Sequence, residues 1–323
     1  MSQKSDRNRI DWRNNIMQIT AAMVKELREL TGAGVMACKN ALVETDGNQE
    51  EAIEILRKKG EATAVKKSGR IAAEGIVYTV VKDGKAAIVE VNSETDFVAK
   101  NEKFQTFVGQ VADQVLTTDK TNVEDFLAEP WVLDTAKTVK DELVSQIAVI
   151  GENMNIRRFQ KIESDGVIAS YIHAGGKIGV LVEADAPKND AVEEALKNVA
   201  MQVAALNAKF LSNADIDDDY KAHEKEILLE QIKNDPKESQ KPEKVIEGMI
   251  MGRLNKQFKE ICLLDQVYVK AEDGKQSVAK YLEQVSKEVG APVTLKQFIR
   301  FETGEGLEKK EEDFAAEVAA QMK

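Results

Sequence analysis

The chain contains 323 residues, of which 43% are hydrophobic and 31% charged, enough for two or three domains with ordinary cores. Its formal net charge of −11 argues against direct binding to nucleic acid, because such binding depends on Lys and Arg, and favours a protein partner. No apolar run approaches the roughly 18 residues that a membrane helix requires, and none resembles a signal-peptide core, so we expect a cytoplasmic protein without membrane contact.

A flexible polar extension at residues 1–16 is predicted to precede a module of three short helices. Thr20 suits the N-cap of the first helix, and Gly32 and Gly34 tolerate the backbone angles that end a helix. The predicted helices are residues 21–30, residues 35–43 and a third marked by Ala52, Ile53 and Leu56. The apolar stripe of the first helix contains Met23, Val24, Leu27 and Leu30. A charged linker at residues 61–70 follows, for which the sequence leaves a helical conformation open.

After the linker the hydrophobic period changes to two, which predicts strands. Two apolar runs around Asp83-Gly84 predict a β-hairpin, and a helix over residues 104–116 follows it. The same order recurs from Gly166, with a turn at residues 173–177 and then a helix, so we interpret the two units as an internal duplication. The remaining predicted elements are a helix at 141–147, a strand at 155–162, a helix at 276–289 and a strand at 293–302.

A charged block inside the second unit predicts a helical hairpin, inserted as a coiled coil at about residues 215–262. Asp235-Pro236 and Lys241-Pro242 interrupt its two arms, because a proline disfavours helix at the preceding residue. The apolar stripe of the second arm contains Val245, Met249, Leu254 and Phe258. A C-terminal helix is marked by Phe314, Val318 and Met322.

Motifs for catalysis, metal binding or nucleotide binding are not found in the sequence. Cys38 and Cys262 lie among apolar neighbours and are predicted to be buried thiols. His173 and His223 have no Cys or His neighbour at metal-ligand spacing, and no phosphate-binding loop or nucleophile motif occurs. We therefore expect no cofactor, no metal and no enzymatic activity.

The segment from Val91 to Asn101 lies at a predicted strand-to-helix junction, where binding groups are held on a rigid scaffold. A structural interpretation is that Asp96 caps the following helix and Phe97 closes the core. The sequence Ser-Glu-Thr-Asp-Phe-Val-Ala-Lys-Asn, however, resembles the signature of the elongation factor Ts family, the exchange factors of the GTPase elongation factor Tu. The family pattern continues through residues 30–39, 151–158, 298–302 and 313–320.

The resemblance implies an α+β fold: a ubiquitin-associated-like three-helix module, a duplicated core with an inserted coiled coil, and a C-terminal helix. The implied domains are residues 17–70 with the linker, residues 71–163, residues 164–302 with the insertion, and residues 303–323. A homodimer or a 2:2 complex with the GTPase stays open. The rival interpretation is an adaptor or chaperone-like binding protein without exchange activity.

The resemblance also implies roles for individual residues. The family's Asp-Phe pair intrudes near the Mg²⁺ site of elongation factor Tu and weakens GDP binding. The matching residues here are Thr95, Asp96, Phe97 and Val98. Further partner contacts implied by the family are Lys25, Arg28, Met36, Lys39, His173, Gly175, Gly176, Met249 and Met251. The alternative for His173 is a solvated turn residue, and the alternative for Gly175 and Gly176 is a role in the turn alone. Helical spacing by itself favours a core position for Val35 and Met36, and packing within the coiled coil for Met249 and Met251.

Overall fold

A computed structural model describes residues 19–308 of the chain. The predicted extension at residues 1–16 and the predicted C-terminal helix around Phe314, Val318 and Met322 lie outside the described residues. Contacts between residues divide the chain into two compact units. The first contains the N-terminal residues up to Ile71 together with Leu127–Asn155, and the second contains Ala72–Phe126 and the residues from Ile156 onward.

The described chain is a mixed α+β protein in which N-terminal helices precede helices and antiparallel sheets. The helices are α1 (Ala21–Thr31), α2 (Val35–Glu44), α3 (Gln49–Lys67), α4 (Asp96–Ala99), α5 (Glu102–Val115), α6 (Val123–Leu127), α7 (Val139–Ile150), α8 (Asp190–Leu206), α9 (Asp218–Asn234), α10 (Glu243–Ile261) and α11 (Val278–Val289). The strands are β1 (Glu74–Lys82), β2 (Lys85–Ser93), β3 (Pro130–Trp131), β4 (Asp134–Thr138), β5 (Met154–Glu163), β6 (Val167–His173), β7 (Ile178–Asp185) and β8 (Thr294–Glu302). None of the helices within residues 19–308 has the length and apolar character that crossing a membrane requires.

Helix α1 begins and ends at the residues that the sequence predicted. The Thr20 hydroxyl accepts a hydrogen bond from the Met23 N–H at 3.2 Å, and Gly32 ends α1 with a φ of 67°. The core of the three helices contains Val24, Leu27, Cys38, Ala41, Leu42 and Ala52. Leu30 was predicted to belong to this core, but 57% of it is exposed, because the face of α1 that meets α2 is centred on Leu27.

Helix α3 extends through much of the predicted linker, as far as Lys67, because α7 packs along it. Gly60 faces α7, where a Cβ would lie at an ordinary contact distance of 3.5 Å from the Cβ of Ala148. Arg57 forms an ion pair with Asp141 at 3.0 Å. The contacts therefore group residues 127–155 with the N-terminal helices, whereas the sequence analysis assigned them to the first core subdomain.

The second unit contains two three-stranded sheets, with the strand orders β1-β2-β5 and β6-β7-β8. The predicted Asp-Gly hairpin joins β1 to β2, and Asp83 and Gly84 have positive φ angles of 49° and 76°. Residues of both sheets pack in one hydrophobic cluster that includes Val77, Ile88, Leu181 and Phe301. Helix α5 lies against β1 and β2, and α8 lies against β6 and β7, so the same order of elements occurs in both halves.

Helices α9 and α10 form the predicted helical hairpin, which breaks near the two prolines. Its core consists of Ile216, Leu228, Ile232, Ile250, Leu254, Phe258 and Cys262. The predicted stripe of α10 was partly wrong, since 47% of Val245 is exposed and Ile250 rather than Met249 is fully buried. Spacing alone allows either phase along α10, and the contact with α9 selects one of them.

Candidate partner-binding site

The segment between β2 and α5 forms one short helical turn, α4, and side chains cap the start of α4 and the start of α5. The Thr95 hydroxyl accepts a hydrogen bond from the Val98 N–H at 3.3 Å, and Asn101 caps α5 by accepting from the Lys103 N–H at 2.9 Å. The structural interpretation that Asp96 caps the following helix is therefore wrong. Asp96 is the first residue inside α4, whereas an N-cap lies just before the first turn with extended backbone angles.

Phe97 does not close the core, which was the second half of the structural interpretation. Its side chain lies on the surface, with 80% of the residue exposed, while Ala99 of the same turn is buried. A single helical turn presents its residues in different directions, so the side that buries Ala99 against the sheet leaves Phe97 facing solvent. Val98 is half-buried between them.

The carboxylate of Asp96 lies beside Phe97 and is held by Lys100, whose ammonium donates a hydrogen bond to Oδ2 at 2.6 Å. This hydrogen bond lowers the pKa of Asp96, and the charge of Lys177 lowers it further. The pair is solvent-exposed, so its contribution to stability is small. The Asp96 carboxylate and the exposed Phe97 ring are therefore neighbours on the same short turn, α4.

His173 ends β6 and opens the turn to β7, here called the 173–177 turn. Its side chain is exposed, and its Nδ1 lies 3.1 Å from the Tyr171 hydroxyl. Gly175 has a φ of 66°, which favours glycine. Gly176 is required for a second reason: a Cβ there would lie 2.8 Å from the Cβ of Ile76. Both glycines therefore shape the backbone that presents His173.

Lys177 connects this turn with α4. Its ammonium forms an ion pair with Glu74, which pairs with Ser93 in the β1–β2 register, two residues before Thr95. The same ammonium acts on the pKa of Asp96. The structure therefore brings residues 95–98 and the 173–177 turn to one edge of the second unit, although they are far apart in sequence. We call this edge the two-turn site.

The basic residues expected to contact a partner lie in the first unit. Lys25, Arg28 and Lys39 line one groove of about 350 Å³, and Ile19, Val24 and Val35 also line it. Val35 and Met36 were favoured as core residues by spacing, but 51% and 63% of them are exposed. Helix α2 turns Cys38, Ala41 and Leu42 towards the core instead, which leaves Val35 and Met36 on the surface.

The two methionines of α10 have different environments. Met249 packs partly against the core of the helical hairpin, which agrees with the packing interpretation, whereas 53% of Met251 is exposed. Ile250 between them is buried. His223 of α9 is exposed, as the sequence predicted. Cys38 and Cys262 are free, buried thiols, again as predicted.

A buried ionic cluster that the sequence did not predict lies in the same unit as the two-turn site. Glu90 of β2 has no exposed surface and accepts hydrogen bonds from Arg157 at 2.9 Å, from Arg158 at 2.5 Å and from the Gly304 N–H at 2.8 Å. The guanidinium of Arg158 also lies 4.2 Å from the centre of the Phe301 ring. The signal was present as a lone glutamate inside an apolar run and as two consecutive arginines in a strand, because a buried charge requires partners.

Within residues 19–308, no group of three or more His, Cys, Asp and Glu side chains is arranged to hold a metal ion. What the two-turn site offers chemically is an apolar ring, a fixed carboxylate and an imidazole at a protein surface. These are groups for contacting another macromolecule.

Comparisons with known proteins agree with this description. The family model for elongation factor TS matches residues 94–305, which include both turns of the two-turn site. The chain is 53% identical over 305 residues to elongation factor Ts of Clostridium perfringens, covering 93% of this chain and 98% of that protein. It is 52% identical over 308 residues to elongation factor Ts of Clostridium novyi, covering 94% of this chain and 99% of that protein. This chain therefore belongs to the elongation factor Ts family.

Proposed function

We propose that this chain promotes GDP release from elongation factor Tu by applying Thr95, Asp96, Phe97 and Val98 to the Mg²⁺ and phosphate site of that GTPase. Elongation factor Ts is the nucleotide exchange factor for elongation factor Tu in translation elongation, and it is not a catalytic enzyme. Membership of the family gives this chain the same partner, and bacterial members are cytoplasmic. The proposal concerns which residues perform the exchange and how.

The observation that carries the proposal is the exposure of Phe97 on a turn whose start is capped. An exposed phenylalanine contributes nothing to the core of its own protein, but its burial in a partner is worth about 1.5–3 kcal/mol. The capped turn fixes the backbone of Phe97 before binding, so contact with a partner costs only the rotamer freedom of the side chain. Phe97 therefore suits a wedge that displaces part of a GTPase next to its nucleotide.

Asp96 supplies charge at the same place. A GTPase holds GDP through a phosphate-binding loop and through a Mg²⁺ ion that bridges to the phosphates. An ionised carboxylate brought close to that ion competes for its water ligands, and Lys100 keeps Asp96 ionised and oriented. His173, with Gly175 and Gly176 shaping its turn, provides a second contact towards the phosphate-binding loop.

Contacts away from the nucleotide site provide binding free energy, and this free energy offsets the cost of distorting the Mg²⁺ and phosphate site. The basic groove lined by Lys25, Arg28 and Lys39, with the exposed Met36 nearby on α2, suits an acidic, partly apolar helix of the GTPase. Met251 offers a further exposed contact on the helical hairpin, beside the partly buried Met249. We propose that these docking residues belong to a ubiquitin-associated-like three-helix module within residues 17–70 and to a coiled-coil insertion within residues 164–302.

Thermodynamic linkage relates the affinity of this chain for elongation factor Tu to the affinity of elongation factor Tu for GDP. If the chain binds nucleotide-free elongation factor Tu more tightly than the GDP-bound form, it must weaken GDP binding by the same factor. It must also leave when GTP binds, so its affinity is balanced rather than maximal. A wedge of a few residues supported by a wide docking surface meets both demands.

The direct test measures release of a fluorescent GDP analogue from elongation factor Tu, with an excess of unlabelled GDP and increasing concentrations of this chain. We expect the release rate to rise to a plateau, and to rise less when Mg²⁺ is present in large excess. The adaptor interpretation predicts a complex on size-exclusion chromatography with no change in release rate, and that result would reject the proposal. Light scattering on the same complex distinguishes a 1:1 from a 2:2 assembly.

A further inference from the structure

Thr303, the first residue after β8, contacts the 173–177 turn at two points. Its hydroxyl donates a hydrogen bond to the Gly176 carbonyl at 3.0 Å, and its backbone N–H donates to the Lys177 carbonyl at 2.9 Å. Only 8% of Thr303 is exposed, so the hydroxyl bond is shielded from water. The two bonded residues are 127 positions apart in sequence, which makes this a tertiary contact and not part of the local turn geometry.

The Gly176 carbonyl also accepts a hydrogen bond from the Val77 N–H at 2.7 Å. A carbonyl oxygen has two lone pairs, and here both have donors, one from β1 and one from Thr303. Gly176 itself packs against Ile76, as described above. The turn that follows His173 is thus held from two sides, and the Thr303 hydroxyl is the one side-chain donor among these contacts.

Thr303 is in turn fixed by the buried ionic cluster. The next residue, Gly304, donates its N–H to the fully buried Glu90, which is held by Arg157 and Arg158. Gly304 also lies close to the backbone of Ala73, since a Cβ on Gly304 would be 2.2 Å from the Ala73 carbonyl oxygen. The segment containing Thr303 and Gly304 is therefore held in place. The hydrogen bond from the Thr303 hydroxyl to the Gly176 carbonyl connects this segment to the 173–177 turn.

We infer that Thr303 is a positioning residue for nucleotide exchange, which fixes His173 at a set distance from Phe97 by holding the Gly176 carbonyl. The inference rests on the proposed function, since it requires that His173 and Phe97 act together on the GTPase. Two groups that must contact one partner simultaneously lose effectiveness when either can move. Thr303 touches neither group and acts on His173 through the turn.

The experiment measures the maximal rate of GDP release and the half-saturating concentration for Thr303→Val, Thr303→Ala and Thr303→Ser. Loss of one shielded hydrogen bond predicts a fall of about 2- to 10-fold in the maximal rate for the first two variants, with the half-saturating concentration little changed. Thr303→Ser keeps the hydroxyl and is expected to retain the rate. Agreement between the Val and Ala variants separates loss of the hydroxyl from poor packing. Thr294→Val, at an exposed position that begins β8, is the matched control.

A double-mutant cycle with His173→Ala distinguishes positioning from a general structural role. If Thr303 acts through His173, Thr303→Val lowers the rate in the wild-type background and causes no further loss when His173 is already alanine. An equal loss in both backgrounds overturns the inference, as does an unchanged rate for Thr303→Val or for His173→Ala. These outcomes leave the proposed function standing as long as the wild-type chain accelerates release. Failure of the wild-type chain to do so rejects the proposed function instead.

Discussion

Because the Phe97 ring is exposed, its removal is expected to slow nucleotide exchange without destabilising the fold. Replacing Phe97 by Ala removes a side chain that lies mainly in water, while the Thr95 cap and the buried Ala99 stay in place. Surface substitutions of this kind usually change the free energy of unfolding by less than about 0.5 kcal/mol. We therefore expect the variant to fold normally and to bind elongation factor Tu.

The magnitude of the exchange defect follows from the surface available for burial. Full burial of a phenylalanine is worth about 1.5–3 kcal/mol, and 80% of Phe97 is exposed, so about 1.2–2.4 kcal/mol is available from the partner. If that energy appears when the GTPase is distorted for GDP release, its loss slows the maximal rate by roughly 8- to 60-fold, at 1.36 kcal/mol for each tenfold change.

Stopped-flow measurement of fluorescent GDP release, over a range of concentrations of the variant, gives the maximal rate and the half-saturating concentration separately. Val65→Ala is a matched control, because 75% of Val65 is exposed on α3 and no partner contact is assigned to it. An unchanged maximal rate for Phe97→Ala would refute the wedge. A change confined to the half-saturating concentration would make Phe97 a docking contact only.

Three further predictions concern charges and thiols. Glu90→Gln removes the buried carboxylate that the partly exposed Arg157 and Arg158 hold and should lower the free energy of unfolding by about 1.5–3 kcal/mol, measured by urea denaturation, whereas Glu163→Gln at the surface should change it little. Lys100→Ala removes the hydrogen bond that lowers the pKa of Asp96, so an NMR titration should find this pKa closer to its ordinary value; an unchanged pKa would assign the shift to other groups. Burial raises the pKa of the Cys262 thiol from its ordinary 9.0 to about 11. The unfolded chain therefore loses the thiol proton at a lower pH than the folded chain, and the stability that the folded chain gains from its protonated thiol is lost as the pH rises from 9 to about 11. At pH 8 a thiol reagent should modify Cys262 in urea but not in the folded chain, and rapid modification of the folded chain would contradict the burial.

The sequence by itself determined the elements whose boundaries depend on neighbouring residues. The Thr20 cap, the Asp83-Gly84 turn and the proline breaks of the helical hairpin were predicted and are confirmed, because each involves backbone and side-chain groups only a few positions apart. Family resemblance predicted that residues 95–98 contact the partner. It did so from the order of residue types, without reference to their surroundings.

Tertiary structure decided which face of each helix is buried, and this is where the sequence predictions were wrong. Leu30, Val35, Met36 and Val245 all fit a helical period, but period alone leaves the phase open until a neighbouring element covers one side. The same reason explains Phe97: nothing in its sequence distinguishes a core residue from a surface residue, and the burial of Ala99 on the other side of the turn leaves Phe97 exposed.

Tertiary structure also decided which distant groups pair beneath the two-turn site. Glu90 pairs with Arg158 across 68 positions, and Thr303 bonds Gly176 across 127. Such contacts form only when the two sheets fold together, since no local pattern specifies which distant donor will reach a buried acceptor. The sequence thus determined which residues are present at the two-turn site. The packing of the two sheets determined that residues 95–98 and the 173–177 turn lie at one edge and are held there.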